Sequence, residues 1–275
     1  MKRALIFSVI LIILIQSCLT QKRAVSDAEQ HVFHTQDTIF RLLTYNVLTG
    51  FQKNPEQAER FIEWVKEKKV DVIALQELSS FTQDSLETLA RRYGHNYAIL
   101  HKGNGSPIGI TSRFPLEQIE KISGTMHHGC IYARVAGFHL FVTHLSPFSY
   151  EKCMEEMHGI LMRAAAIPAP EKVLIIGDLN SFSPQDSLSY PVKRRYGVVQ
   201  SLLDSGYTDA YQQINRRFES SFPTTAYLHK AKMPTRIDYV FANKATARYI
   251  TAAGIIKDNI TAKLSDHYPL LVTFK

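Results

Sequence analysis

Asp178 and Asn180 stand two residues apart in the stretch Lys172 to Phe182, which reads Lys-Val-Leu-Ile-Ile-Gly-Asp-Leu-Asn-Ser-Phe. The run Val173 to Ile176 predicts a short strand buried on both faces, and Gly177 ends it. A carboxylate and an amide on the same side of such a strand end form a place to hold a reacting group rigidly. Alone, Gly-Asp-x-Asn is as readily an Asx-type turn. The same pattern recurs, however: Asn46, Glu77, His144 and the pair Asp266-His267 each stand at the end or start of a predicted strand, and Asp238 lies within another. Each taken singly is ordinary, because a lone Glu after a strand is solvated and a lone His is a satisfied structural residue. Together they are hard to produce by accident.

The elements that must position them follow from hydrophobic period. Ile39 to Tyr45, Val70 to Leu75, Asn96 to Leu100, Ile108 to Ser112, Leu116 to Ile122, Cys130 to Val135 and Phe138 to His144 read as strands. Ala136-Gly137 joins the last two as a hairpin. Asn54-Pro55 predicts the N-cap and first position of a helix whose apolar residues Ala58, Phe61, Ile62 and Val65 fall at i, i+3, i+4 and i+7. Further helices are expected over 83–93, stopped by Gly94, over 149–165 and over 198–205. Methionines 154 and 157 on the third helix read as core. The polar, aromatic stretch 215–234 is expected to face a substrate, and strands over 235–241 and 268–274 close the chain.

With 275 residues, 45% apolar and 21% charged, the composition is that of a folded globular chain, with no internal repeat or low-complexity tract. The formal charge of +7 suits an anionic partner such as nucleic acid, a lipid headgroup or a membrane surface, without choosing among them. Three cysteines, Cys18, Cys130 and Cys153, exclude a disulfide framework and leave room for one Cys130–Cys153 bridge. Lys2 and Arg3, the apolar block Ala4 to Ile15 and then Gln16-Ser17-Cys18 have the anatomy of an export signal, too short for a permanent transmembrane span. Either Cys18 is lipidated and anchors the chain to a membrane, or cleavage falls near Thr20. The expected organisation is therefore an export signal over 1–20, a polar tether over 21–37 and one domain over 38–275, exported and monomeric.

The ordered set Thr44-Tyr45-Asn46, Leu75-Gln76-Glu77, Thr143-His144-Leu145, Gly177-Asp178-Leu179-Asn180, Arg236-Ile237-Asp238-Tyr239 and Ser265-Asp266-His267 resembles the motif series of the endonuclease/exonuclease/phosphatase superfamily. That superfamily includes deoxyribonuclease I, exonuclease III, the neutral sphingomyelinases and inositol polyphosphate phosphatases. The resemblance spans Ile39 to Phe274. It implies an α/β fold, a four-layered sandwich of two mixed sheets face to face with helices outside, and hydrolysis of an anionic phosphodiester, in nucleic acid or a phospholipid headgroup, with Mg²⁺ or Mn²⁺. Phosphodiesters repel nucleophiles, so catalysis must supply positive charge to the non-bridging oxygens and activate a water in line. On this resemblance Glu77 and Asp266 would be oxygen ligands of the metal, and Asn46 would orient a ligand carboxylate or a metal water. His267, paired with Asp238, would act as general base or as a phosphate-binding imidazolium, and His144 would be a second phosphate contact. Asp178 would align the attacking water or protonate the leaving group, and Asn180 would stabilise the transition state.

Subfamily features are absent. No cysteine pairs match those bracing deoxyribonuclease I, Tyr132 is the sole guess for the mid-chain tyrosine of abasic-site endonucleases, and Phe182-Ser183-Pro184 does not reproduce the signature of the inositol phosphatases. The sequence thus leaves nuclease, sphingomyelinase-type phospholipase C and phosphomonoesterase activity open. A catalytically inactive ligand-binding module of the same fold is the competing class, and no expected catalytic position is replaced to favour it.

Overall fold

The structure is a computed structural model that describes residues 39–190 and 194–275. The expectations for the export signal, the tether and Cys18 lie outside the described residues. Among the described residues no helix is long and apolar enough to cross a membrane.

The strands in chain order are β1 Phe40–Asn46, β2 Val72–Gln76, β3 Tyr97–Leu100, β4 Gly109–Ser112, β5 Glu117–Ile122, β6 Cys130–Val135, β7 Phe138–His144, β8 Lys172–Asp178, β9 Thr208–Asp209, β10 Asp238–Ala242, β11 Ile250–Ile255 and β12 Leu270–Phe274. They form two six-stranded sheets, β11-β12-β1-β2-β4-β3 and β5-β6-β7-β8-β10-β9. Each sheet is mixed: β1 and β2 run parallel in the first, β7 and β8 in the second, and every other pairing is antiparallel. The four longer helices are α1 Pro55–Lys68, α2 Gln83–Arg92, α3 Tyr150–Ala165 and α4 Gly197–Asp204. Asn54 caps α1 by accepting from the Glu56 amide, and Pro55 takes the first helical position where its missing N–H costs nothing. Thr82 and Ser85 form a reciprocal capping box on α2.

Alternation along the strands decides which side chains meet. Leu43, Tyr45, Ile73 and Leu75 point outward into a core with Phe61, Ile62 and Trp64 of α1 and Leu86, Leu89 and Ala90 of α2. Their neighbours Leu42, Thr44 and Asn46 of β1 and Val72, Ala74 and Gln76 of β2 must therefore face the second sheet, and all six are fully buried. Likewise Phe141, Val173, Ile175, Tyr239 and Phe241 pack outward with Met157 and Ile160 of α3 and Val198 and Leu202 of α4. That turns Val142, His144, Ile176, Asp178, Asp238 and Val240 inward. The layer between the sheets starts apolar at one end, where Phe40 stacks on Phe138 at 4.8 Å and Phe138 meets Phe274 at 5.5 Å. It finishes polar at the other, where the register sets Asn46 beside Gln76 and His144 beside Asp178 beside Asp238.

Three details depart from the sequence reading. The last strand of the second sheet begins at Asp238 rather than Thr235, because Thr235 makes its own isolated bridge to Phe222. β11 was not anticipated and closes the first sheet against β12. Cys130 and Cys153 are both free, Cys153 giving its thiol hydrogen to the Ser146 carbonyl oxygen instead of bonding sulfur.

Candidate active site

At the polar end of the first sheet, β2 stops and the next residue, Glu77, takes the left-handed conformation with φ 61°. A non-glycine residue pays roughly 1–3 kcal/mol for that geometry, which persists only where surroundings hold it. Here the Gly50 amide donates to the Glu77 carbonyl at 2.6 Å, and the Thr49 amide donates to Oε2 at 3.0 Å. Gly50 is required, since a Cβ there would stand 2.3 Å from the Ser79 carbonyl oxygen. Asn46, fully buried at the end of β1, spans both sheets: its Nδ2 donates to Glu77 Oε1 at 3.0 Å and to Asp178 Oδ2 at 3.1 Å.

The second sheet brings the buried acids Asp178 and Asp238 and the imidazole of His144, and the segment entering β12 of the first sheet adds His267. Gly177 lets β7 and β8 approach, because a Cβ would fall 1.9 Å from the Thr143 carbonyl oxygen. Asp178 then accepts from the Asn180 amide at 3.0 Å, and its Oδ2 lies 3.5 Å from His144 Nε2 and 3.7 Å from His267 Nε2. His267 Nδ1 is 2.9 Å from Asp238 Oδ2. Burial pushes the Asp178 carboxyl up, His267 pulls it back and Asp238 adds to the rise, leaving it well above the usual carboxylate range. For His267 burial alone would favour the neutral ring, but Asp238 and Asp178 together outweigh it and raise the imidazole strongly, so it is a cation at neutral pH. His144 goes the other way: burial, then His128 and His267, drive it well down, so it is neutral. Its Nδ1 and Asp238 Oδ1 are buried without hydrogen-bond partners, and groups of that kind call for a ligand, water or ion.

The expected residues thus meet in one chain of contacts, Glu77–Asn46–Asp178, branching to His144 and to His267–Asp238. Asn180 joins it through its backbone amide, while its side chain, fixed with φ 45°, donates to the Leu145 carbonyl at 2.9 Å. Asp266 is next to this chain rather than in it. Ser265 Oγ donates to the Asn46 carbonyl at 2.6 Å and lies 3.3 Å from Asp266 Oδ1, and Lys230 Nζ holds Asp266 Oδ2 at 2.8 Å. Lys230 comes from the stretch 215–234 that the sequence assigns to the substrate side. Tyr132 does not take part: it turns outward against Phe141, and its hydroxyl pairs with His139 Nδ1 at 2.8 Å.

Sequence reading missed several supports. Arg236, fully buried, gives Nε to Asp186 Oδ2 at 2.8 Å and Nη1 to Asp209 Oδ2 at 2.6 Å, with its plane over Tyr211 and Tyr239. This clamp fixes the chain two residues before Asp238, where Arg-x-Asp reads locally as a surface pair. His128 stacks on His144 at 4.2 Å and 12°. The His127-His128 doublet just before β6 was the available signal.

Two places could hold a cation. Asp178, Asp238 and His267 bring one donor atom each within 4.8 Å of one another, but the His267 imidazolium already supplies positive charge there. Glu77 is only partly buried and offers hard carboxylate oxygens beside the Asn46 amide, which fits a hydrated Mg²⁺ or Mn²⁺ better.

A family model described as the Endonuclease/Exonuclease/phosphatase family matches residues 43–267. Among solved structures, an AP endonuclease from Archaeoglobus fulgidus is 18% identical with a TM-score of 0.65, covering 86% of this chain and 99% of its own. The 3′ phosphatase NExo from Neisseria, bound to a product DNA hairpin, is 18% identical with a TM-score of 0.67 and covers 86% and 99%. TDP2 from D. rerio, complexed with a single-strand DNA product, is 17% identical with a TM-score of 0.66 and covers 87% and 100%. The two mixed sheets with surrounding helices are the deoxyribonuclease I-like fold that these neighbours share. No curated protein matches the chain.

Proposed function

This chain belongs to the endonuclease/exonuclease/phosphatase family, and we propose that within it the protein is an exported phosphodiesterase that cleaves nucleic acid by in-line attack of water. The family is divalent-metal-dependent. The observation that carries the reading is the unbroken contact chain from Glu77 through Asn46 and Asp178 to His267 and Asp238. A chain of that composition joins an oxygen donor for a hard cation to a buried proton-transfer group.

In this reading Glu77 and Asn46, with Asp266 beside them, hold Mg²⁺ or Mn²⁺, which when bound neutralises charge on the phosphate and its leaving oxygen. Asp178, with its carboxyl raised toward neutrality, is suited to take the proton of the attacking water and to return it. His267 is held as an imidazolium by Asp238 and therefore binds a non-bridging phosphate oxygen rather than serving as the base. Neutral His144 presents a ring N–H to the phosphate, and Asn180 fixes the strand end on which Asp178 sits. The neighbours from Neisseria and D. rerio are bound to a product DNA hairpin and a single-strand DNA product, which supports a nucleic-acid substrate, as does the charge of +7.

One observation favours a second substrate, a phospholipid headgroup. Phe148, Leu188 and Leu228 are exposed apolar residues on the segments that follow β7, follow β8 and precede β10, which leave or enter the second sheet at the edge that carries His144, Asp178 and Asp238. Apolar tips with basic neighbours are what an interfacial enzyme would press into a membrane. Parallel assays of the purified protein on plasmid DNA, RNA and sphingomyelin vesicles with Mg²⁺ or Mn²⁺ separate the two. Nucleic-acid hydrolysis that falls steeply with salt and is lost in His267→Ala and Asp178→Ala is expected, and unchanged turnover in both variants refutes the reading.

A further inference from the structure

Beside Asn180 the surface opens into a cavity of about 290 Å³ lined by Ser146, Phe148, Tyr150, Ser181, Arg194 and Arg195, among others. Of its lining residues only Asn180 touches the contact chain described above, through its backbone amide. Arg194 lies with its guanidinium 4.9 Å over the Phe182 ring, and its Nη2 donates to the Met233 thioether, a weak acceptor. Among the described residues no carboxylate pairs with it. Arg195 lies 5.1 Å over Tyr150 and pairs with Glu151 at 3.0 Å, both side chains being more than two-thirds exposed, so that pair contributes little and is readily exchanged. Phe148 presents its ring at 78% exposure on the wall of the same cavity. A stacked guanidinium keeps its N–H edge free and its plane fixed, which is the form in which arginine grips phosphate bidentately. The exposed aromatic face next to it suits an unstacked base.

We propose that this cavity is a binding subsite for the nucleotide that flanks the scissile phosphate in a single-stranded nucleic acid, with Arg194 and Arg195 on its phosphate and Phe148 against its base. The inference rests on the phosphodiesterase reading and adds the substrate's strandedness and the residues that select it. A cavity of this size, rimmed by serine hydroxyls and guanidinium groups, accommodates one nucleotide unit and offers no apolar channel for acyl chains. The contacts to phosphate supply affinity whatever the sequence, and the aromatic face prefers bases that are not already paired.

The test uses the full chain and two substrates, bis(p-nitrophenyl) phosphate, which lacks a flanking nucleotide, and a labelled single-stranded oligonucleotide of about 12 nucleotides, within the span such grooves cover. Arg194→Ala, Arg195→Ala and Phe148→Ala should each lower kcat/KM on the oligonucleotide roughly 10-fold more than on the small diester, as loss of one phosphate or stacking contact does. Each arginine removed should also lower the salt slope of oligonucleotide binding, read by fluorescence anisotropy, by about one. Equal losses on both substrates, or oligonucleotide binding unaltered in all three variants, overturns the subsite. Sphingomyelin vesicles are assayed alongside as a control, and losses confined to them overturn it in favour of lipid. Exposed Arg195 and Phe148 keep the test decisive should Arg194→Ala fail to fold. A wild-type chain that hydrolyses neither substrate refutes the phosphodiesterase reading separately, while the anisotropy comparison still decides whether the cavity holds the strand.

Discussion

In the first sheet the parallel pair β1–β2 sets Asn46 beside Gln76 and turns at Glu77 with φ 61°, whereas in the second the parallel pair β7–β8 sets His144 beside Asp178 and turns at Asn180 with φ 45°. The backbone solution is similar: two parallel strands, antiparallel neighbours on either side, and a left-handed residue one position beyond the strand in the first sheet and two beyond it in the second. The side chains differ. The parallel pair of the first sheet delivers an amide and a partly exposed carboxylate, and that of the second delivers a carboxyl and an imidazole that water barely reaches, to which His267 is added from the segment entering β12. Burial is therefore what separates cation binding from proton transfer at one edge of the molecule, because desolvation raises carboxyl groups and depresses lone imidazoles.

The largest effect expected from this contrast is catalytic. Asp178→Asn keeps the shape but removes the proton acceptor, and kcat should fall about 10³-fold at every metal concentration. Glu77→Gln should instead be restored in part by excess Mg²⁺ or Mn²⁺, since its loss lies in cation affinity. Rescue of Asp178→Asn by metal, measured as kcat against metal concentration, would break the division of labour.

The next contrast is structural. Gly177→Ala drives a methyl into the Thr143 carbonyl oxygen between the two central strands of the second sheet, and Gly50→Ala drives one into the Ser79 carbonyl oxygen in a loop. A strand pair in the core yields less than a loop, so the first should cost about 4 kcal/mol and the second about 2 kcal/mol in urea unfolding. Equal costs would show that the loop around Gly50 is as rigid as the core.

Much of this was legible because it is local. The near-continuous apolar runs of β1, β2, β7 and β8, the Asn54-Pro55 start of α1 and the Ala136-Gly137 turn, with φ of 49° and 78°, each announce themselves within a few residues. Strand ends then located Asn46, Glu77, His144 and Asp178. What the string hides is long-range. β11 is broken by Ala252-Ala253-Gly254 between Ile250-Thr251 and Ile255, and becomes a strand because β12 offers it an edge. Arg236 meets Asp186 and Asp209 across 50 and 27 residues, and Lys230 meets Asp266 across 36. No spacing encodes such pairs.

A smaller effect concerns pH. His95, in the layer outside the first sheet, has its Nδ1 against Thr111 Oγ1 and its Nε2 against the Val70 carbonyl, both at 2.9 Å, and burial lowers it to about 4. The folded chain therefore binds this proton less readily than the unfolded chain, in which the ring titrates near 6.5. Its contribution is complete above pH 6.5 and is lost as pH falls toward 4, about 3 kcal/mol in all. His128, against His144 in the second half, is lowered likewise to about 4 by burial and then by His127. Unfolding free energies should fall as the pH is lowered from 7 to 4, and His95→Gln should remove about one proton from that slope. A slope unaltered in that variant would place the acid sensitivity wholly in the second half.

The smallest expected effect probes where the halves join. The Asn46 amide is bonded to Glu77 of one sheet and Asp178 of the other, at 3.0 and 3.1 Å. Asn46→Ala removes an orienting contact from each without removing either carboxylate, so metal affinity should weaken roughly 10- to 100-fold, the usual cost of losing a partner of a ligand. Because one amide serves both groups, its effect should not add to theirs: in the Glu77→Gln background, Asn46→Ala should weaken metal binding by much less than it does alone. Titration calorimetry with Mn²⁺ on the four proteins of that cycle gives the coupling directly. Full additivity would mean that the amide acts through Asp178 alone, and that the two edges work side by side without being joined.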